Sequence, residues 1–148
     1  MRHQYHDGGR ETYFKGNAGD CVTRAIAIAT GKDYKEVYDT LRNRQYEWAH
    51  SSRSKSALKA RKLGRSARQG VFKEVYAQYL ADMGYSFVPT MAIGSGCTTH
   101  LRAEDLPSGT LIVRLSKHIA CVKDGVLYDT YDCSREGTRC VYGYWIID

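Results

Sequence analysis

Ser116-Lys117-His118-Ile119-Ala120-Cys121-Val122-Lys123-Asp124-Gly125-Val126-Leu127-Tyr128-Asp129-Thr130-Tyr131-Asp132 reads as a β-hairpin: β-forming residues flank an Asp-Gly pair, the strongest short signal for a two-residue turn. A turn at Asp124-Gly125 pairs Lys123 with Val126. Counting outwards, Ala120 faces Asp129 and His118 faces Tyr131, so His118, Ala120, Asp129 and Tyr131 share one face of the sheet. Asp129 is then the diagonal neighbour of His118, within reach of its imidazole. Asp132 falls on the other face, and a slip of one residue would exchange the two carboxylates. Asp129 is therefore the preferred orienting group and Asp132 its reserve. Against a catalytic His118 stands a structural one, hydrogen-bonded at a strand start.

Upstream, Gly19-Asp20-Cys21-Val22-Thr23-Arg24-Ala25-Ile26 joins a glycine turn to an apolar, helix-periodic segment. A helix start offers unpaired amides and the positive end of the dipole, which favour an anion and lower a thiol pKa. A thiolate at Cys21 beside an imidazole would be a nucleophile, with its own amide directed at the oxyanion of a tetrahedral intermediate. The competing reading is a buried cysteine acting as a small hydrophobe.

The order Cys, His, Asp, with the cysteine opening a helix and the others on a downstream hairpin, resembles the papain-like cysteine peptidase superfamily. The Gly19-Asp20-Cys21-x-x-Arg24-Ala25 motif is similar to the nucleophile segment of ovarian-tumour-type deubiquitinases. That resemblance is strongest over residues 17–30 and 116–133. It departs from both patterns upstream: Ala18 stands where the deubiquitinases carry Asp, and Lys15 where papain-type enzymes carry Gln. Asn17 is the nearest amide and the candidate side-chain oxyanion donor. The resemblance implies a Cys21-His118-Asp129 triad, a thioester intermediate, and a peptide, isopeptide or amide substrate, a protein among the candidates. It implies no cofactor and no metal.

At 148 residues the chain is long enough for one domain with a proper core. The run Met1–Asp7 lacks an apolar h-region and no segment approaches the about 18 apolar residues that span a bilayer, which predicts a protein neither exported nor membrane-embedded. Five cysteines without a regular framework argue for a reducing compartment, the cytoplasm, over a disulfide scaffold. A metal alternative, Cys97-x-x-His100 with Cys133 and Cys140, fits none of the common zinc spacings. Cys121 points away from His118 and reads as core.

Helices are expected over residues 21–30, from an Asp33 cap with Glu36 as a capping-box partner to about Arg44, and from about Arg68 to Met83 with Gly84 as the stop. On the second, Tyr34, Val37, Tyr38 and Leu41 form the inner face. On the third, Val71, Val75, Tyr76, Tyr79, Leu80 and Met83 share one stripe. Strands follow at Tyr85–Pro89, Thr110–Leu115, His118–Val122, Val126–Tyr131 and Val141–Ile147. Helices first and a meander-like sheet after them predict an α+β fold, papain-like by the resemblance, with N-terminal helices on a C-terminal antiparallel sheet and the cysteine helix across the sheet edge from the histidine strand.

The net charge of +6, from 22 basic and 16 acidic residues, concentrates in a Ser/Lys/Arg-rich stretch at about 49–68. It reads as a solvated linker, or as a mobile insertion or lid that contacts an acidic partner or nucleic acid. A catalytically silent binding module using that surface is the second functional reading, and a transglutaminase-like acyl transfer the third. Gly94-Ser95-Gly96-Cys97-Thr98-Thr99-His100 lacks a P-loop ending. Its glycines are expected to let the backbone pass near the cleft, and His100 is a second candidate histidine.

Overall fold

The structure is a computed structural model and describes residues 1–14, 19–63, 70–92 and 94–147. Strands β1 (Arg2–Tyr5), β2 (Tyr85–Pro89), β3 (Thr110–Leu115), β4 (His118–Lys123), β5 (Val126–Asp129) and β6 (Gly143–Ile147) form one sheet in the order β1-β5-β4-β3-β6-β2. Helices α1 (Cys21–Thr30), α2 (Tyr34–Ser51), α3 (Lys55–Leu63) and α4 (Lys73–Asp82) complete an α+β fold.

The sheet is not a meander. β6 lies between β3 and β2, antiparallel to both, and β1, which the sequence reading lacked, pairs parallel with β5. The hairpin register is as expected, with Lys123 opposite Val126 and Cys121 opposite Tyr128. Asp124 and Gly125 both take positive φ, 47° and 79°, the backbone a primed two-residue turn needs. A second tight turn, Ser116-Lys117, sets Leu115 opposite His118 and makes His118 the first residue of β4.

The sheet separates two apolar clusters. On one face Ile112, Ile119 and Trp145 pack with Val22, Ile26, Tyr34, Val37, Leu41 and Leu80 of the helices. On the other, Leu111, Val113, Ala120, Val122 and Leu127 pack with Leu101, Cys133 and Val141 from loops. α1 is buried nearly all round because it sits between sheet and α2, and Gly31 ends it with φ 73°, its amide donating to Ala27. It packs on β3, β4 and β5, so the cysteine helix crosses the sheet face at the histidine strand, and the expected placement across an edge is corrected.

α2 runs to Ser51, beyond the expected end near Arg44, because Gln45 and Ala49 continue its buried stripe. The Gln45 side-chain oxygen Oε1 accepts the Phe72 amide at 2.9 Å, which fixes an extended residue directly before α4 and starts that helix at Lys73, later than Arg68. The Asp33 side chain makes no capping bond; it accepts the Tyr13 hydroxyl at 2.8 Å. Within the basic stretch, residues 55–63 are helical and bury Ala57 and Ala60, which counts against a solvated linker for this portion. Residues 64–69 lie outside those described. Among the described residues no helix is long and apolar enough to cross a membrane.

Candidate functional site

Cys21 is the first residue of α1, where the helix amides have no intrahelical acceptor. Asp20, its N-cap, does not cap with its side chain. The carboxylate turns inward, fully buried, and receives Arg24, the Tyr34 hydroxyl and Arg10, the last at 3.2 Å. Arg24 continues to Asp129, Nη2 to Oδ1 at 3.6 Å.

His118 Nε2 lies 2.6 Å from Asp129 Oδ2, and the Thr130 amide donates to Asp129 Oδ1 at 2.7 Å. The charge of the same imidazole acts on both the Cys21 and the Cys133 thiol. The Tyr131 ring stands 5.5 Å from that of His118 and, half exposed, borders it on the solvent side. Cys21, His118 and Asp129 are thus brought together. Asp132 is not part of the group: its Oδ1 accepts the Ser134 amide at 3.0 Å and the Ser134 hydroxyl at 2.6 Å. Asn17 lies outside the described residues.

Burial pushes the Cys21 thiol up, but hydrogen bonding and charge from His118, the Ile119 amide and Arg24 outweigh it, and the thiol ends below its ordinary value. Burial likewise opposes the charged imidazole of His118, yet its hydrogen bonds to Asp129, Cys133 and Cys21 and the Asp129 charge raise it. Asp129 is lowered, with burial overcome by His118, the Thr130 amide and Arg24. All three directions favour a thiolate, an imidazolium and a carboxylate in line. Burial holds Cys133 and Cys121 above the ordinary thiol range, so Cys21 is set apart among the free cysteines.

His118, Asp129 and Cys133 also present donor atoms within 4.8 Å of one another, a set that suits a borderline cation. The Nε2–Oδ2 hydrogen bond engages one imidazole nitrogen and one carboxylate oxygen, and burial raises the Cys133 thiol, so a cation bound through these atoms would compete with that bond and with the thiol proton.

The proposed Cys97/His100/Cys133/Cys140 ligand set does not form. Cys97 and Cys140 are joined as a disulfide with Cα atoms 5.8 Å apart, which corrects the expectation of cysteines without a disulfide. His100 Nε2 lies 3.6 Å from Cys97 Sγ, in a β-bridge to Cys140, and Cys133 is with His118. His100 does not line the cleft at Cys21, and neither do Gly94 and Gly96, whose surroundings are open.

That cleft, about 640 Å³, opens beside Cys21 and His118 between the start of α1, the β3–β4 turn and Tyr76 of α4. Arg139 braces its rim: one guanidinium nitrogen donates to the Ser116 carbonyl at 2.7 Å and another to Cys133 at 3.4 Å. Asp20, Arg24, Cys133 and Arg139 escaped the sequence reading as site-builders. For Asp20 and Arg24 a signal was present, opposite charges at i,i+4 around the cysteine on an otherwise apolar helix.

Comparison with known proteins returned no match: no family model, no curated protein and no solved structure matches the chain.

Proposed function

We propose that the protein is a papain-like cysteine hydrolase acting on a peptide, isopeptide or related amide bond. The observation that carries this reading is the imidazole of His118, bound to Asp129 through Nε2 at 2.6 Å and lining one cleft with Cys21, which stands at a helix N-terminus.

In this reading Cys21 Sγ attacks the carbonyl carbon, and the oxyanion takes the free amide of Cys21, with Asn17 as the proposed side-chain donor. The His118 imidazolium protonates the leaving amine as the C–N bond breaks, which leaves a thioester. His118 then takes a proton from water, the resulting hydroxide adds to the thioester carbonyl, the C–S bond breaks to release the Cys21 thiolate beside the His118 imidazolium, and the acid departs. Asp129 holds the ring tautomer and offsets its charge throughout. The residues named supply every proton transfer, so the scheme calls for no metal or organic cofactor. An amine in place of water would give acyl transfer from the same thioester.

The test is mass spectrometric trapping of an acyl adduct on Cys21 with activated ester and peptide aldehyde probes, together with turnover of a mixed fluorogenic peptide set. Labelling confined to Cys21, lost in His118→Ala with the fold retained, is expected. Turnover at wild-type rate in Cys21→Ala would overturn the reading.

A further inference from the structure

The cleft at Cys21 is electrically one-sided. Arg24, Arg114 and Lys117 line it with His118, and no Asp or Glu is among its described lining residues. Glu74, whose charge reaches Tyr76, lines a separate cavity with Arg44, and the two carboxylates beside Cys21 and His118 are engaged behind the cleft: Asp20 by Arg10, Arg24 and Tyr34, and Asp129 by His118, the Thr130 amide and Arg24. Neither offsets a further cation in the cleft.

Arg114 is the informative member. It sits on β3 opposite Ile119 of β4 and Gly143 of β6, with its carbonyl accepting the Tyr142 amide at 2.9 Å, so its backbone is held from both sides. Alternation along β3 puts it on the face of Ile112, the helix side, where it lines the cleft with Tyr76 and Cys21. The side chain is half-buried and, among the described residues, has neither an ion-pair nor a hydrogen-bond partner. A guanidinium drawn partly out of water without a counter-charge is costly, and its planar fork suits a carboxylate. Lys117 stands at the lip of the same cleft, held in the left-handed region at φ 54° by the two-residue turn before His118.

We infer that this cleft selects anionic acyl groups, a peptide with an acidic residue beside the scissile carbonyl, and that Arg114 binds the carboxylate with Lys117 at the lip. The acyl part rests on the hydrolase reading. Recognition of a carboxylate by Arg114 is a property of the cleft with or without turnover.

The experiment compares alkylation of Cys21 by iodoacetate, an anion, and by iodoacetamide, its neutral counterpart, followed by peptide mass spectrometry. Relative to free cysteine, the iodoacetate-to-iodoacetamide rate ratio at Cys21 is expected to be about tenfold higher. Arg114→Gln removes most of that advantage, read as the ratio of the two rates within the variant, and Arg114→Lys keeps part of it. A ratio equal to that of free cysteine, or one unchanged by Arg114→Gln, overturns the inference. Titration of wild-type protein with glutarate or neutral glutaramide, read by NMR at the amides of residues 114–119, needs neither the variant nor a reactive thiol. Saturable shifts with glutarate alone are expected; an equal response to both, or none, overturns the inference. A Cys21 alkylation midpoint no lower than that of free cysteine would instead count against the hydrolase reading, with the titration still deciding the carboxylate site.

Discussion

Arg24 Nη2 stands 3.6 Å from Asp129 Oδ1, so the helix that carries Cys21 reaches the carboxylate that holds His118. Through its other nitrogen the same guanidinium pairs with Asp20, the residue that opens that helix. Asp20 in turn gathers Arg10 and Tyr34, so the N-terminal segment, α1, α2 and the end of β5 meet in one buried polar network. Such a network fixes relative position more than it adds net stability, because the desolvation of its charges offsets much of their attraction. Here the positions it fixes are those of the thiol and the imidazole.

Removing Arg24 should therefore cost both stability and alignment. Arg24→Met leaves Asp20 with one fewer counter-charge in a buried site, and a loss of about 3–5 kcal/mol is expected by chemical denaturation. Arg24→Lys keeps the charge but lacks the fork that spans two carboxylates, and loses less. Because Arg24 lowers the Cys21 thiol, the midpoint of Cys21 alkylation moves to higher pH in Arg24→Met, a readout that a purely structural role would leave in place. An unmoved midpoint in a folded variant would remove Arg24 from the positioning role.

The pH profile of alkylation has a definite sign. With the Cys21 thiol lowered, the rate of iodoacetamide reaction stays high below the ordinary thiol pKa of about 8.5 and falls as pH drops through the lowered value. His118→Ala removes the hydrogen bond and the charge but keeps much of the burial, so the profile shifts upward, with Asp129→Asn between the two. Cys121 and Cys133 react slowly throughout. Equal rates at Cys21 and Cys133 in wild type near about pH 7 would be incompatible with the thiolate–imidazolium pair.

The local turn signal read correctly, while the Asp33 cap, the ends of α2 and α4 and the long-range strand pairings did not. Asp124-Gly125 specified its turn and hence the register that places Asp129 beside His118, because turn chemistry and alternation act over a few residues. The insertion of β6 between β3 and β2 is a pairing across distant segments that no local pattern encodes. β1 was missed because Arg2-His3-Gln4-Tyr5 is an exposed edge without an apolar alternation; its pairing with β5 and the bond from His3 Nε2 to the Asp129 carbonyl, 2.9 Å, do not depend on burial. α3 hid in a basic, serine-rich stretch, where Ala57 and Ala60 at i,i+3 are buried while Leu58 is exposed, so its apolar residues do not form a clear helical stripe. Arg114 looked like one more strand residue; its meaning depends on what surrounds it.

The His118–Asp129 pair also predicts the pH dependence of stability. Asp129 is lowered in the fold, so its contribution is present above the unfolded carboxylate value of about 3.9 and is lost as pH falls through the lowered value. His118 is raised, so its contribution is full below the unfolded value of about 6.5 and is lost as pH rises through the raised one. The stability difference between wild type and Asp129→Asn should therefore be largest near about pH 5–6 and shrink in acid. Thermal unfolding of both proteins from acid to neutral pH measures it, and a difference constant with pH would show that the pair does not titrate as a unit.

The Cys97–Cys140 bond ties the loop after β2 to the segment entering β6, closing a separation of 43 residues. Chain-entropy arguments assign a bridge of that span about 4 kcal/mol at most, and the usual range is about 2–4. Reduction by a dithiol should lower the unfolding midpoint accordingly, and Cys97→Ser should match reduced wild type and be indifferent to reductant. Because neither cysteine lines the cleft, Cys21 alkylation at neutral pH is expected to keep its rate in Cys97→Ser. A fall in that rate with the fold intact would instead connect this bond to the site, through the β6 segment that pairs with Arg114 of β3.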